Sequence, residues 1–427
     1  MDLFSALQTS VSGLQAQSYA ISNISGNIAN SQTTGYKRVD TSFVDMMSET
    51  TPKREVAGSV LAQSQLTNTI AGNVISSSVP TNMSISGTGF FTVVQKTGDA
   101  NGAATFSGTN AYTRRGDFAP TADGYLMNGA GDYLTGNNLD PLTGLVTSSG
   151  PIVIGNPTLP AQPTTTITYA ANLPATPSTS ATADPPNSIA GPSLTAYTAS
   201  GAPITVNMRW VQSTASTNGS DSSWKLMINS SASGTANWVD SGQNFTFDST
   251  GKMTSPTASS TNPNSVTVDL SGTTISGYTF PKLTLDLSGG LTQYADASGA
   301  VTTNALSQDG SPSGTLTSVA VGTDGKINGT FSNGAVKSLA TVGIAQFANP
   351  DGLKADTKGN YLQTADSGPP LAGLDGSTIT GASLEQSNTD IATEFSKMIV
   401  TQQAYSANTR VMSTAQTMMS DLLNVIR

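Results

Sequence analysis

The sequence predicts a mostly β protein with α-helical termini, the terminal helices paired as an antiparallel coiled coil and nested β domains inserted between them. Three observations carry this expectation. Both ends hold apolar residues at heptad spacing, the interior is cut into short alternating apolar runs, and a proline-rich stretch interrupts that interior.

The first helix is expected over residues 2 to about 30. Leu7, Leu14, Ile21 and Ile28 recur every seven residues, and Leu3, Val11 and Ile24 fill the seam. After Asp2 no charge occurs until Lys37. A helix flank without charge is not a solvated face, so it implies burial all round or packing against identical neighbours. Gly13, Gly26 and several Ser and Asn residues lower its intrinsic propensity, which makes the isolated helix marginal in water. The run from Asn27 to Lys37, rich in Asn and Thr and containing Gly35, reads as a helix stop.

Residues 39 to about 71 show no strong period, and an extended connector is expected there. Strands follow around Met83, Ile85, Phe90-Phe91 and Val93-Val94, then at Ala111 to Thr113, with Asp123-Gly124 as a hairpin signal. The stretch from Pro151 to Pro203 holds ten of the 21 prolines, and its part from Pro174 to Pro192 reads as a surface loop. Runs at 204–206, 224–228, 245–247, 266–270 and 283–287 then predict a sandwich or partly open barrel. After residue 316 the earlier strand style resumes, ending in the turn Asn349-Pro350-Asp351-Gly352 and the closing segment 366–370.

The last helix is expected from Leu384 to Arg427. Its apolar side chains are Ile391, Phe395, Met398, Tyr405, Met412, Met419, Leu423 and Ile426, with polar Gln402, Thr409 and Gln416 between them. A stripe two residues wide has coiled-coil width, although a helix folded onto its own body would satisfy the same pattern. Four parts follow from this order. Residues 1–33 with 384–427 form an inner helical coiled-coil domain, and 34–71 with 366–383 a connector. Residues 72–165 with 305–365 form a middle β domain, and 166–304 an outer β domain inserted in it.

Composition narrows function. Charged residues make up 11% of 427, with a net charge of −9, which argues against nucleic acid and against an anionic membrane surface. The chain has no Cys and no His, which removes disulfides, thiol nucleophiles, the usual zinc and haem ligands and the commonest general base. No apolar run reaches the roughly 18 residues of a membrane span, and the start, MDLFSALQTSVSGLQ, lacks the basic and apolar regions of a secretory signal. The Ser/Thr/Gly-rich composition nevertheless suits an extracellular or structural protein.

No catalytic constellation emerges. The Gly87-Thr88-Gly89-Phe90 segment lacks the third glycine of a dinucleotide loop. The Asp-Gly pairs at Asp123, Asp324, Asp351 and Asp375 read as turns, not calcium loops. Arg114-Arg115 beside Asp117 reads as a surface ion pair worth ~0–1 kcal/mol. The protein is therefore expected not to be an enzyme and to need no metal or cofactor.

The order of motifs resembles the bacterial flagellar axial proteins (rod, hook and hook-associated subunits), and among them the hook proteins. Ile21 to Lys37 reads ISNISGNIANSQTTGYK, similar to the family's ISNNIANxxTxGYK signature but longer by Ser25-Gly26. The Phe90-Phe91 segment and the stretch from Tyr112 to Leu126 resemble a first β block of the family; Phe331 to Gly334 and Phe347 to Leu353 resemble a second. Ser383 to Asn388, then Phe395, Met398-Ile399 and Gln402 to Tyr405, are similar to its terminal helix signature. Leu283 to Tyr294 resembles the end of the hook outer domain, while the proline-rich part of 155–200 matches nothing in the family.

The resemblance implies a subunit that polymerises into the curved, flexible hook joining rod to filament. Its partners would be copies of itself, the distal rod, the hook cap, the hook-filament junction proteins and the flagellar type III export apparatus. It implies an extracellular location after export with an uncleaved N-terminal signal. Leu3, Leu7, Val11, Leu14, Ile21 and Ile28, with the C-terminal stripe, would form the seam between subunits. A distal-rod or hook-associated subunit remains an alternative, as does a secreted β-rich carbohydrate-binding protein or carboxylate-only glycosidase, which would not need two helical termini.

Overall fold

A computed structural model describes residues 3–46, 59–100, 103–180, 182–215, 222–232, 235–257, 266–374 and 376–425. The chain is mostly β, with two long helices at its ends, α1 (Leu3–Ala29) and α2 (Ile391–Val425). It divides into two compact units. The first comprises Met1–Pro157, Leu316–Thr330 and Val336–Arg427; the second comprises Thr158–Thr315 and Phe331–Ala335.

In the first unit, α1 has no Pro and no charge within it, and it ends where Asn30 N donates to Gly26 O. The expected connector is instead a hairpin. Strands β1 (Val39–Met46) and β2 (Ser59–Leu66) pair antiparallel, with Val39 opposite Leu66 and Met46 opposite Ser59. Polar and apolar residues share both of its faces, so the two-residue alternation that marks a half-buried strand is missing from the sequence. The hairpin lies along α1: Ser12 Oγ donates to Val60 O at 2.7 Å and accepts from Val60 N at 2.9 Å. Asn23 Nδ2 donates to Thr41 Oγ1 at 2.9 Å. Lys53, Arg54 and Glu55 lie outside the described residues, as does Asp375.

Two short pairs bind early chain to late chain. Strand β3 (Val74–Ser76) pairs with Ser383–Glu385, and β4 (Met83–Ser86) with Thr378–Gly381. Hence the C-terminal helix does not begin at Leu384. Residues 383–385 are strand, and the helix starts at Ile391, where Asp390 Oδ1 accepts from Thr393 N at 2.9 Å. Strand β5 (Phe90–Ala100) is central, paired with Ala111–Thr113, Asp132–Leu139 and Ile344–Gln346. Its Phe90 packs with Tyr112, Phe347, Leu353 and Tyr361 in an aromatic core with edge-to-face contacts. The Asp123-Gly124 turn joins Phe118–Pro120 to Leu126–Asn128 as an antiparallel pair.

The second unit is built of two five-stranded sheets. One is a meander of Ser188–Tyr197, Pro203–Thr214, Ser222–Asn229, Trp238–Phe247 and Met253–Ser255. The other centres on Thr166–Asn172, which pairs parallel with Thr284–Asp286 and antiparallel with Thr302–Gln308. Inward residues of both share one core that includes Tyr169, Trp210, Trp224, Phe245 and Leu285. Strict alternation makes this possible: Ser222, Trp224, Leu226 and Ile228 are buried and the residues between them are half-buried. The expected proline-rich loop is shorter than its sequence span. Ser188–Tyr197 is an edge strand, and Pro192 sits where its register shifts, a position that tolerates a missing N–H.

Candidate assembly interface and the junction beneath it

The face that α1 buries within the chain is made mostly of small and polar residues, with Ile24 the one large apolar side chain among them. Ser10, Gly13, Ala16, Ala20, Ile24 and Asn27 recur every three or four positions and are buried. On α2 the buried positions among the described residues are Glu394, Thr401 and Ala415. Contacts between the helices are close. Asn27 Nδ2 donates to Glu394 Oε2 at 2.9 Å, and a Cβ placed on Gly13 would lie 2.9 Å from Asn408 Nδ2.

Of the large apolar residues expected along the α1 seam, Ile24 is in the buried row, whereas most of the others described lie elsewhere on the helices. Leu7, Leu14, Ile21 and Ile28 are half-buried, and Val11 is 41% exposed. At 100° per residue their row is rotated from the buried row by roughly a quarter-turn. On α2, Met398, Met412 and Met419 are half-buried, whereas Ile391, Phe395 and Tyr405 are exposed. The side chains of Leu3 and Leu423, and all of Ile426, lie outside what is described. A groove of about 660 Å³ runs beside the helices, walled by Ile24, Val39, Phe43 and Val400, with Asp40 and Lys397 in its lining.

Beneath the helices sits a polar junction for which sequence reasoning supplied no role. Asn27, 1% exposed, donates from Nδ2 to Val39 O at 2.9 Å as well as to Glu394. Its Oδ1 accepts from Val39 N at 2.9 Å and from the Tyr36 hydroxyl at 3.1 Å. Asn388 Oδ1 accepts from Arg38 N at 2.7 Å, while its Nδ2 reaches Thr67 and Ile70 O. The two asparagines thus tie the end of α1, the hairpin and the approach to α2 through hydrogen bonds that no apolar residue could replace.

Deeper still is an ionic triad. Lys37 Nζ lies 2.5 Å from Glu385 Oε1 and donates to Ile70 O at 2.7 Å, with both charged side chains essentially unexposed. Arg114 Nη1 lies 3.4 Å from Glu385 Oε2 and 3.2 Å from Ile85 O, and its guanidinium stands 5.1 Å from the centre of the Phe90 ring. Arg114 is therefore not part of a surface pair. Only Arg115 binds Asp117, at 2.7 Å, because successive residues of an extended segment point to opposite sides. Burial pushes the Lys37 ammonium below its ordinary range, with Glu385 opposing that shift. Burial likewise lowers Arg114, again against Glu385.

Gly35 makes the junction possible. Its φ is +68°, its N–H donates to Glu385 O at 2.8 Å, and a Cβ there would lie 2.6 Å from the Arg114 carbonyl carbon. At the rim, Lys397 bridges Asp40 at 2.8 Å and Glu394 at 2.9 Å. Burial acts to raise Asp40, but hydrogen bonding and charge from Lys397, with help from Arg38, outweigh it and hold the carboxyl low. Among the described residues no group of three or more His, Cys, Asp or Glu is placed to hold a metal ion, and no helix is long and apolar enough to cross a membrane. The region thus combines half-buried and exposed apolar side chains on the two helices with a buried polar junction at their base.

Known proteins are similar to this chain along its whole length. Three family models match: flagella basal body rod protein over residues 7–37, flagellar basal body protein FlaE D2 domain over 167–311, and flagellar basal body rod FlgEFG protein C-terminal over 381–425. The flagellar hook protein FlgE of Brucella abortus is 32% identical over 434 aligned residues, covering 100% of both chains. That of Rhizobium meliloti is 28% identical, also covering 100% of both. That of Salmonella typhimurium is 29% identical, covering 97% of this chain and 98% of its own. The crystal structure of the Helicobacter pylori hook protein FlgE2 aligns over 71% of this chain and 98% of that one, at 16% identity and a TM-score of 0.48.

Proposed function

The chain belongs to the flagellar hook protein family and is a structural subunit of the hook, not an enzyme, and we propose that it enters the polymer through α1 and α2. In this reading the two helices pair antiparallel as a coiled coil and form an inner layer, with the β units nested outside them. The observation that carries it is the quarter-turn offset on α1. A charge-free helix holds Leu7, Leu14, Ile21 and Ile28 only half-buried, and Val11 exposed, while its small residues take up the contact inside the chain.

Full burial of one such side chain is worth about 1.5–3 kcal/mol. Several half-buried residues per subunit therefore supply enough to hold a lattice of repeated contacts. The exposed Ile391, Phe395 and Tyr405 and the half-buried Met398, Met412 and Met419 of α2 belong to the same seam; by sequence spacing alone Leu3, Leu423 and Ile426 are assigned to it too. Curvature and flexibility would arise from sliding between outer β units, whose Ser/Thr-rich surfaces make weak, exchangeable contacts. The distal rod, hook cap, junction proteins and export apparatus are partners by membership of the family.

Leu14→Asp tests the reading. It puts a carboxylate on the stripe and touches neither the polar junction nor the β cores, so the purified variant should fold with native helix and strand content and fail to polymerise. Polymers of normal appearance and yield in electron micrographs of the variant would refute the role of the seam.

A further inference from the structure

The 35 residues of α2 carry four charges, Glu394, Lys397, Arg410 and Asp421. The first two are bound to each other, and Lys397 also to Asp40. The other two are exposed, and neither joins an ion pair among the described residues.

Arg410 and Asp421 are opposite in sign and share a face. Eleven residues at 3.6 per turn are close to three full turns, so their side chains leave the helix within about 20° of each other and about 16.5 Å apart along its axis. That separation is too long for them to meet. Their face is opposite the one that carries Glu394, Thr401 and Ala415, the residues buried against the rest of the chain. Helix α1 cannot neutralise them, because it contains no charge. Asp390 is occupied in capping α2.

We infer that the outer face of α2 docks on α2 of a second copy, running parallel and shifted by about three turns, with Arg410 of one copy paired to Asp421 of the next. The pairing rests on the assembly role given above and adds a register to it. It is heterologous, since each helix offers its arginine in one direction and its aspartate in the other. Such a contact repeats without closing and generates a filament. Two charges too far apart to meet within one helix would each be costly to bury in a polymer without a partner from another copy.

Two arms test it on the full chain. In the first, Arg410→Cys and Asp421→Cys are combined in a protein that has no cysteine of its own. Cysteines bridge only when their Cα atoms approach within about 7 Å, so the pair cannot close within one helix. Mild oxidation of the polymer should give a ladder of covalent multimers, whereas monomers and dimers alone would overturn the inference. In the second, Arg410→Asp or Asp421→Arg should raise the concentration needed for polymerisation about fivefold or more, the upper range for an exposed pair. The double exchange should restore it to within about twofold. A double variant no better than either single variant would overturn the pairing. Recovery of Arg410→Asp by Asp45→Arg would assign the contact to the hairpin and overturn it as well. Normal wild-type polymer with unaffected single variants sinks the pairing alone, while a wild-type chain that never polymerises sinks the assembly reading beneath it.

Discussion

Replacing Glu385 by Gln should be among the most damaging conservative changes in this protein, and the structure gives both the size and the location of the effect. Glu385 is the only anion of a buried triad with Lys37 and Arg114, which together carry a net charge of +1. Glu385→Gln leaves two unexposed cations facing a neutral amide, and removing one partner of a buried pair costs about 3–5 kcal/mol. Lys37→Met removes the excess charge and leaves Glu385 with Arg114 and the Gly72 N–H; its cost should be about 1–2 kcal/mol, mainly the lost bonds of the ammonium. All three tryptophans, Trp210, Trp224 and Trp238, lie in the second unit, and both helices lie in the first. Circular dichroism at 222 nm should therefore show a melting transition lowered by roughly 6–20 °C, while tryptophan fluorescence reports an unchanged second unit. The sign of the pH dependence follows from Lys37, whose folded pKa lies below its unfolded value near 10.4. The cost of the buried ammonium is complete below the folded value and fades as pH rises from there to the unfolded one. Without Glu385 to hold the proton, the Glu385→Gln deficit should shrink as pH rises towards the unfolded value of Lys37. Equal costs for the two substitutions, or a deficit that ignores pH, would refute the account of the triad.

Gly35→Ala should destabilise the first unit by at least about 2 kcal/mol, combining a left-handed φ with a Cβ driven against the Arg114 backbone; thermal melts at 222 nm measure it. Trp210→Ala should cost the second unit about 3–5 kcal/mol, since the ring is fully buried and its Nε1 donates to the Tyr169 hydroxyl. Fluorescence of the two remaining tryptophans should reveal that loss, and the 222 nm transition should stay in place. Asp40 is held low in the folded chain, so its contribution is complete above the unfolded value near 3.9 and fades as pH falls through the folded one. Hydrogen exchange at the base of α2 should accordingly quicken below about pH 4 in the wild type, and Asp40→Asn should remove that part of the acid response.

Where local chemistry fixes structure, the sequence was readable. Alternation predicted Ser222–Asn229 and Thr284–Asp286, Asp123-Gly124 predicted its turn, and heptad spacing predicted both helices. Heptad spacing did not say which face each helix would bury inside its own chain. Ser10, Gly13, Ala16 and Ala20 are buried through close backbone approach, which hydrophobicity does not weigh. The β1–β2 hairpin was missed because its strands are stabilised by hydrogen bonds to Ser12 and Asn23 rather than by an apolar face. The ionic triad joins residues 37, 114 and 385, and only the folded chain brings them together. Arg114 and Arg115 look alike in sequence, yet one is buried and the other pairs with Asp117 at the surface.

The bond between Asn27 and Glu394 spans 367 residues, and that separation has a consequence for timing. Contacts so distant along a chain form late, because the loop between them must close before they contribute anything. Whatever handles the polypeptide from its first residue to its last, synthesis included, meets a complete second unit once Ala335 has appeared. At that moment α1 has its bonds to the hairpin but still lacks Glu394 and the rest of α2. The earliest helix to emerge is thus among the last to have its contacts completed, because the side of it that faces α2 waits for the end of the chain.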